Sequence, residues 1–187
     1  KVMCNLWKDL LKIDKNKMEQ QTVDGKLVAV SRTVMTEMIM PNDTNPMGNL
    51  MGGYLMRWMD IACAVCAARH CESQVATASV DHISFHEPIK LGDVITLTAQ
   101  VTRAFNTSVE IFVEVSASDI TGANPRQSNH AYFTFVAIDK TTGKPTKVPA
   151  VIPITNEEKK QYEVASRRRE LRLILAGKLK PEDAMEL

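Results

Sequence analysis

The sequence predicts an α+β domain in which a curved antiparallel sheet wraps one long helix. The run from Tyr54 to Cys71 is rich in strong helix formers, free of Gly and Pro, and apolar on nearly every side, so it must be buried on most of its faces. Four segments rich in Val, Ile, Thr or Phe follow it without another helix, over 75–86, 93–104, 108–118 and 130–139. Their connections, Pro88 to Gly92, Asn106-Thr107 and Gly122 to Pro125, are short turn sequences, and short links between consecutive strands imply antiparallel pairing.

The remaining elements follow in chain order. Residues 1–26 read as a polar leader with a short helical stretch around Leu6 to Ile13, closed by the turn pair Asp24-Gly25. Leu27 to Met40 carries Val28, Val30, Thr33, Val34 and Thr36 and reads as a strand that Pro41 stops. Pro41 to Asn49 gathers two prolines, a glycine and an Asx cluster, which is turn chemistry. Gly52-Gly53 then opens the central helix, a rod of roughly 27 Å at about 1.5 Å per residue, long enough to cross a small sheet. Beyond Gly143 and Pro145 the chain is extended through Pro149 and Pro153, and Thr155-Asn-Glu-Glu158 has the spacing of a capping box that starts a charged helix to about Leu175. The domain is therefore expected over 27–150, with 151–187 as linker and basic C-terminal helix.

A length of 187 residues suits one domain with an appendage. A formal net charge of +1 provides no global field for nucleic acid, so any anion site must be local. No run of about 18 apolar residues is present to span a bilayer, and no uninterrupted apolar segment near Lys1 resembles a secretory signal. Three of four cysteines crowd between Cys63 and Cys71, a poor layout for disulfides. The expectation is a cytoplasmic protein with reduced thiols.

The junction of loop and helix is the richest in chemistry. Gly52 and Gly53 leave first-turn N–H groups accessible to a negative oxygen, unless they serve only close packing. Just upstream, Asp43, Thr44 and Asn45 offer a base or nucleophile and an amide to orient water, the set that acyl transfer to water needs; the same residues also suit a purely local Asx turn. Cys63, Cys66 and His70 share a helix face beside Cys71, but with no second ligand pair they are expected to be packing residues, and no metal site is expected. His82 and His86 flank Ser84 on one strand face, as candidate bases or structural residues. Arg103 stands near Asn106, Thr107 and Ser108, a hairpin suited either to a phosphate or pantetheine amide or simply to a tight turn. Arg167-Arg-Arg-Glu170 reads as a solvated helix face.

Together, Pro41-x-Asp-Thr-Asn45, Gly48-Asn49 and Gly52-Gly53-x-Leu-Met56-x-x-Met-Asp60 resemble the opening motif of hotdog-fold acyl-CoA thioesterases. Ala68-Arg-His-Cys71, Thr77-Ala-Ser-Val-Asp81, Gly92-Asp-Val-Ile95, Asn106-x-Ser108 and Tyr132-Phe-Thr-Phe-Val-Ala137 extend the likeness over about residues 28–165. The resemblance implies a hotdog fold, a five- or six-stranded antiparallel sheet around the helix, with two domains pairing through their sheets. In the brain-type relatives two such domains share one chain, and an aspartate of one domain works with an asparagine of the other. Asp43 and Asn45 are taken as those positions, so the resemblance implies a homodimer with two sites, assembling into a hexamer as a trimer of dimers.

The implied reaction is hydrolysis of fatty acyl-CoA, with CoA entering only as part of the substrate and no cofactor. Asp43 acts as base or nucleophile, Asn45 orients water or substrate, and the N–H groups at Gly53 and Gly52 hold the oxyanion, while Arg103, Asn106, Thr107 and Ser108 contact the CoA moiety. The rival readings are a dehydratase, for which the loop offers Asp and Asn instead of a His set, and a non-catalytic acyl-CoA sensor.

Overall fold

The computed structural model describes residues 25–186 apart from 82 and 84–86. The expectations placed on Leu6 to Ile13, His82, Ser84 and His86 lie outside the described residues. The chain runs β1 (Gly25–Leu27), α1 (Val28–Ser31), β2 (Thr33–Met38), α2 (Gly52–Cys71), β3 (Gln74–Asp81), β4 (Val94–Ala104), β5 (Ser108–Ser118), β6 (Arg126–Ile138), β7 (Ala150–Ile152) and α3 (Asn156–Leu175). Five strands form one antiparallel sheet in the order β2-β4-β5-β6-β3, and α2 touches every one of them, while β1 and β7 pair in parallel as a separate ribbon. Both edges, β2 and β3, have no further strand beside them among the described residues.

Alternation along the strands explains the layering. Ile95, Leu97, Ala99 and Val101 of β4 and Ile111, Val113 and Val115 of β5 are buried, as are Ala131, Phe133, Phe135 and Ala137 of β6. The facing surface of α2 is Met59 with the small residues Ala62, Cys63, Cys66 and Ala67, all buried, which lets the backbone layers approach closely. Burial raises the Cys66 thiol to about 12 and the Cys71 thiol to about 11, so both stay protonated at neutral pH.

The structure corrects two sequence expectations. Leu27 to Met40 is not one strand: Gly25–Leu27 pairs with β7, and a single helical turn intervenes before β2, with Ser31 Oγ donating to the Val28 carbonyl at 3.4 Å. The central helix is buried on most of its faces and leaves Met56, Ile61 and Val65 exposed on one side. Finally, the Arg167–Glu170 stretch is not a solvated face throughout.

The capping box of α3 is present, with Thr155 Oγ1 accepting from the Glu158 N–H at 3.1 Å and Glu158 Oε2 accepting from the Thr155 N–H at 3.0 Å. From there α3 docks on the outer face of its own sheet, chiefly through charge. Alternation along β5, with Val109 and Ile111 facing α2, puts Glu110 on that face, fully buried under the helix. Its Oε1 accepts from Thr102 Oγ1 at 2.7 Å and from Arg168 Nε and Nη2 at 3.1 and 2.8 Å. Arg168 lies 3.9 Å from the Tyr132 ring centre, Arg103 lies 4.5 Å from that of Tyr162, and Arg172 Nη1 reaches Asp81 Oδ2 at 2.5 Å. Removing one partner of a buried pair strands the other, at a cost of about 3–5 kcal/mol. Arg168→Ala is therefore expected to destabilise the fold by that amount in denaturant unfolding, whereas Glu110→Leu combined with Arg168→Met should cost much less.

At the far end of α2, His70 is fully buried, its Nε2 3.0 Å from the Pro149 carbonyl and its Nδ1 without a partner among the described residues. Desolvation holds its pKa below the ordinary value, against the pull of the Pro149 carbonyl and with a smaller contribution from Lys26. The unfolded chain therefore takes up this proton first as pH falls through about 6.5. Its contribution to stability is complete above that pH and declines below it. Melting temperatures between pH 8 and pH 5 should show this loss, and His70→Gln should flatten that part of the slope.

Candidate active site

The loop that leads into α2 is closed by its own backbone. Pro41–Asp43 forms one 3₁₀ turn, and Asp43 Oδ2 accepts the Met40 N–H at 2.9 Å. The carbonyl of Asp43 accepts the Met51 N–H at 2.9 Å, which anchors the helix start to this turn. Asn45 Oδ1 accepts from Met47 N at 3.0 Å and Asn49 N at 3.2 Å, the Asx arrangement that the sequence allowed. Two N–H donors on Oδ1 fix the orientation of the amide, and Nδ2 is left without an acceptor among the described residues.

The helix begins without a side-chain cap. Tyr54 and Leu55 N–H both turn to the Met51 carbonyl, but the N–H groups of Gly52 and Gly53 find no acceptor among the described residues. A Cβ built on Gly53 would meet nothing within 4 Å, so close packing within the chain does not explain that glycine. Beside Gly52 lies a cavity of about 280 Å³ lined by Asn49, Leu50, Leu55, Glu87, Pro88, Ile89 and Asn129.

The expected site residues are not all brought together within one protomer. Asp43, Asn45, Gly52 and Gly53 share the end of the sheet where β4 begins, as the Ile39 N–H to Asp93 carbonyl and Leu50 N–H to Ile89 carbonyl bonds require. Arg103, Asn106, Thr107 and Ser108 lie at the other end, beside the C-terminus of α2, since Ser108 pairs with Val136 and Gln74 with Ile138. An eleven-residue strand separates the two ends, about 36 Å at roughly 3.3 Å per residue. Within the hairpin Arg103 Nη1 donates to the Tyr162 carbonyl at 3.2 Å, and backbone bonds run from Val148 N to the Asn106 carbonyl at 3.1 Å and from Ala137 N to the Thr107 carbonyl at 2.9 Å.

One pair escaped assignment in the sequence. Asp60 is the sole acid of α2, and its Oδ1 accepts from Thr77 Oγ1 at 2.9 Å. Thr77 pairs with the inward-facing Phe135 and shares the helix side with Val75, and the register shift between Thr77 and Ser79 then leaves Asp81 on the outer face with Arg172. The signal was available: a carboxylate in an otherwise apolar helix, already inside the motif that ends at Asp60. Among the described residues no group of three or more His, Cys, Asp or Glu side chains is arranged to hold a metal.

Residues 47–123 match the model of the thioesterase superfamily. The chain is 35% identical over 148 residues to an uncharacterised acyl-CoA thioester hydrolase of Bacillus subtilis, YkhA, spanning 79% of this chain and 86% of that one. It is 37% identical over 138 residues, 73% of its length, to the rat cytosolic acyl coenzyme A thioester hydrolase, but spans only 36% of that protein. Among solved structures, an apo-hexameric acyl-CoA thioesterase superposes with a TM-score of 0.79 at 36% identity, covering 82% of this chain and 98% of that one. An acyl-CoA hydrolase from Staphylococcus aureus, solved with butyryl coenzyme A and coenzyme A, gives 0.75 at 35% identity, covering 81% and 94%. Further structures of that protein carry single alanine replacements of an asparagine, of an aspartate fifteen positions after it, and of a threonine seventeen positions after that.

Because no side chain meets a Cβ at position 53, Gly53→Ala is expected to leave the melting temperature unchanged or slightly higher, by up to about 1 kcal/mol of helix propensity. A large loss of stability would mean that the glycine serves packing.

Proposed function

We propose that this chain, which belongs to the thioesterase superfamily, hydrolyses acyl-CoA thioesters to a carboxylic acid and CoA. The observation that carries the reading is the uncapped start of α2, where the N–H groups of Gly52 and Gly53 have no acceptor among the described residues and Gly52 lines a largely apolar cavity. Donors held in place for the developing oxyanion are commonly the largest single contribution to acyl transfer, and the positive end of a helix of about 30 Å adds to them.

For the base we assign Asp60 in place of Asp43. Asn45, Asp60 and Thr77 stand at the same spacing as the three residues replaced in the Staphylococcus aureus protein. Each carboxylate has one oxygen engaged, Asp43 Oδ2 by the Met40 N–H of its own turn and Asp60 Oδ1 by Thr77 of another element, which leaves Asp60 Oδ2 for a proton. Water attacks the thioester carbon as Asp60 Oδ2 takes its proton. The oxyanion rests on the N–H groups of Gly52 and Gly53 with Asn45 Nδ2 as a further donor. Collapse then breaks the C–S bond, and the proton passes to the departing sulfur. These steps call on no metal or cofactor.

The site is built across two copies. Asp60 and Thr77 lie beside the exposed strip Met56, Ile61 and Val65 and the unpaired edge β3, a surface suited to a second chain. A partner seated there meets Asp60 with its own Asn45 loop, and dimers of this kind assemble into the hexamer. The hairpin of Arg103, Asn106, Thr107 and Ser108 contributes to CoA binding only if a neighbouring copy presents it.

Thiol release from acyl-CoA tests the reading, and absence of turnover with saturable binding would favour the sensor. Loss of a general base costs about 10²–10⁴-fold. Asp60→Ala should therefore lower kcat by that much and Asp43→Ala by less than tenfold; the opposite order would return the role to Asp43. Mixing Asp60→Ala with Asn45→Ala protein should restore activity in verified mixed dimers, which an unshared site would not do.

A further inference from the structure

We infer that the last turns of α3 belong to the contact between two copies, with Leu171 and Leu175 packing over the seam where one β3 meets the other; this rests on the pairing at the β3 edge proposed above. The helix is aimed at that edge. Arg103 of β4 lies against the Tyr162 ring, Arg168 binds Glu110 of β5 and lies over Tyr132 of β6, and Arg172 reaches Asp81 of β3. Successive turns of α3 therefore cross the outer face from β4 to the sheet edge, and Leu175, its last residue, stands at the margin. There the helix turns apolar groups to water. Leu171 is 47% exposed and Leu175 88%, and with Val80 of β3 they border a groove over Asp81 and Tyr132.

The occupant follows from continuity. Met56, Ile61 and Val65 flank β3 on the side of α2, Leu171 and Leu175 flank it on the side of α3, and Val80, 39% exposed on the strand itself, joins the two strips. Apolar strips on both sides of one edge strand, which has no further strand beside it among the described residues, form a single surface. A second copy fits the whole of it. Its β3 completes the ladder, its sheet continues this one, and its own α3 arrives at the seam from the opposite side. A twofold axis at the seam makes the contact isologous, so each pair of leucines meets its equivalent. The charged residues that border the groove are already paired, Arg168 with Glu110 and Arg172 with Asp81, so closing the seam strands none of them.

The experiment is sedimentation over a dilution series of the unmodified protein, the double variant Leu171→Asp/Leu175→Asp, and Ile61→Asp, each checked for a cooperative melt. Both leucines are exposed in the single chain, so replacing them should leave its fold intact. The double variant should raise the Kd of the dimer by at least about tenfold, and Ile61→Asp should do the same from the other side of the strand. Leu175→Cys in a Cys4→Ser background leaves the buried Cys63, Cys66 and Cys71 as the other thiols. Maleimide should label position 175 about tenfold more slowly at concentrations where the protein is paired than where it is not. If the double variant does not melt cooperatively, this labelling decides. A dimer that Ile61→Asp weakens and the leucine variant does not, with labelling independent of concentration, would overturn the role of α3 and leave the β3 pairing standing. A monomer at every concentration would remove both, and leucine-dependent binding of that monomer to phosphatidylglycerol vesicles would assign the groove to a lipid surface instead. Mass and labelling are read without acyl-CoA, so failure of the thioesterase reading leaves this test in force.

Discussion

A helix that is apolar on most of its circumference cannot stand in water, and the rest of the molecule is arranged around that constraint. Shielding α2 takes five strands, and the small side chains Ala62, Cys63, Cys66 and Ala67 let the sheet bend onto it. Because the sheet covers one side only, Met56, Ile61 and Val65 remain outside beside the unpaired edge β3. The same wrapping carries the helix start to an end of the sheet, where the loop from Pro41 to Met51 folds back on itself and leaves two peptide donors unspent. Packing and chemistry therefore have a common origin in one element.

Much of this was legible in the residues. The central helix, four antiparallel strands and the capped C-terminal helix follow from periodicity, turn residues and the Thr155–Glu158 spacing, all local signals. The break at Val28–Ser31 was not legible, because its β-branched residues favour a strand and the turn is imposed by β1 pairing with β7, more than a hundred residues away. Such pairing leaves no trace in a local window.

The site divides along the same line. The turn at Asp43 and the Asx loop at Asn45 follow from neighbouring residues. The Asp60–Thr77 bond depends on how β3 packs against α2, and the distance between Arg103 and Gly52 depends on strand direction across the sheet. Residues of the right chemistry can therefore be named from sequence and still lie at opposite ends of one protomer.

The ionised pair beneath α3 bears on what counts as a module. The stretch that carries the superfamily signature, residues 47–123, includes Glu110 but not Arg168, and it omits β2, β6 and the helix that shields this carboxylate from water. Excised on those limits, the segment would place an unneutralised carboxylate on a sheet face and leave β5 and β3 without the strand that joins them. Recognition and neutralisation thus belong to different lengths of chain: the superfamily signature occupies the middle, while the cation that answers its buried carboxylate comes from the C-terminal helix.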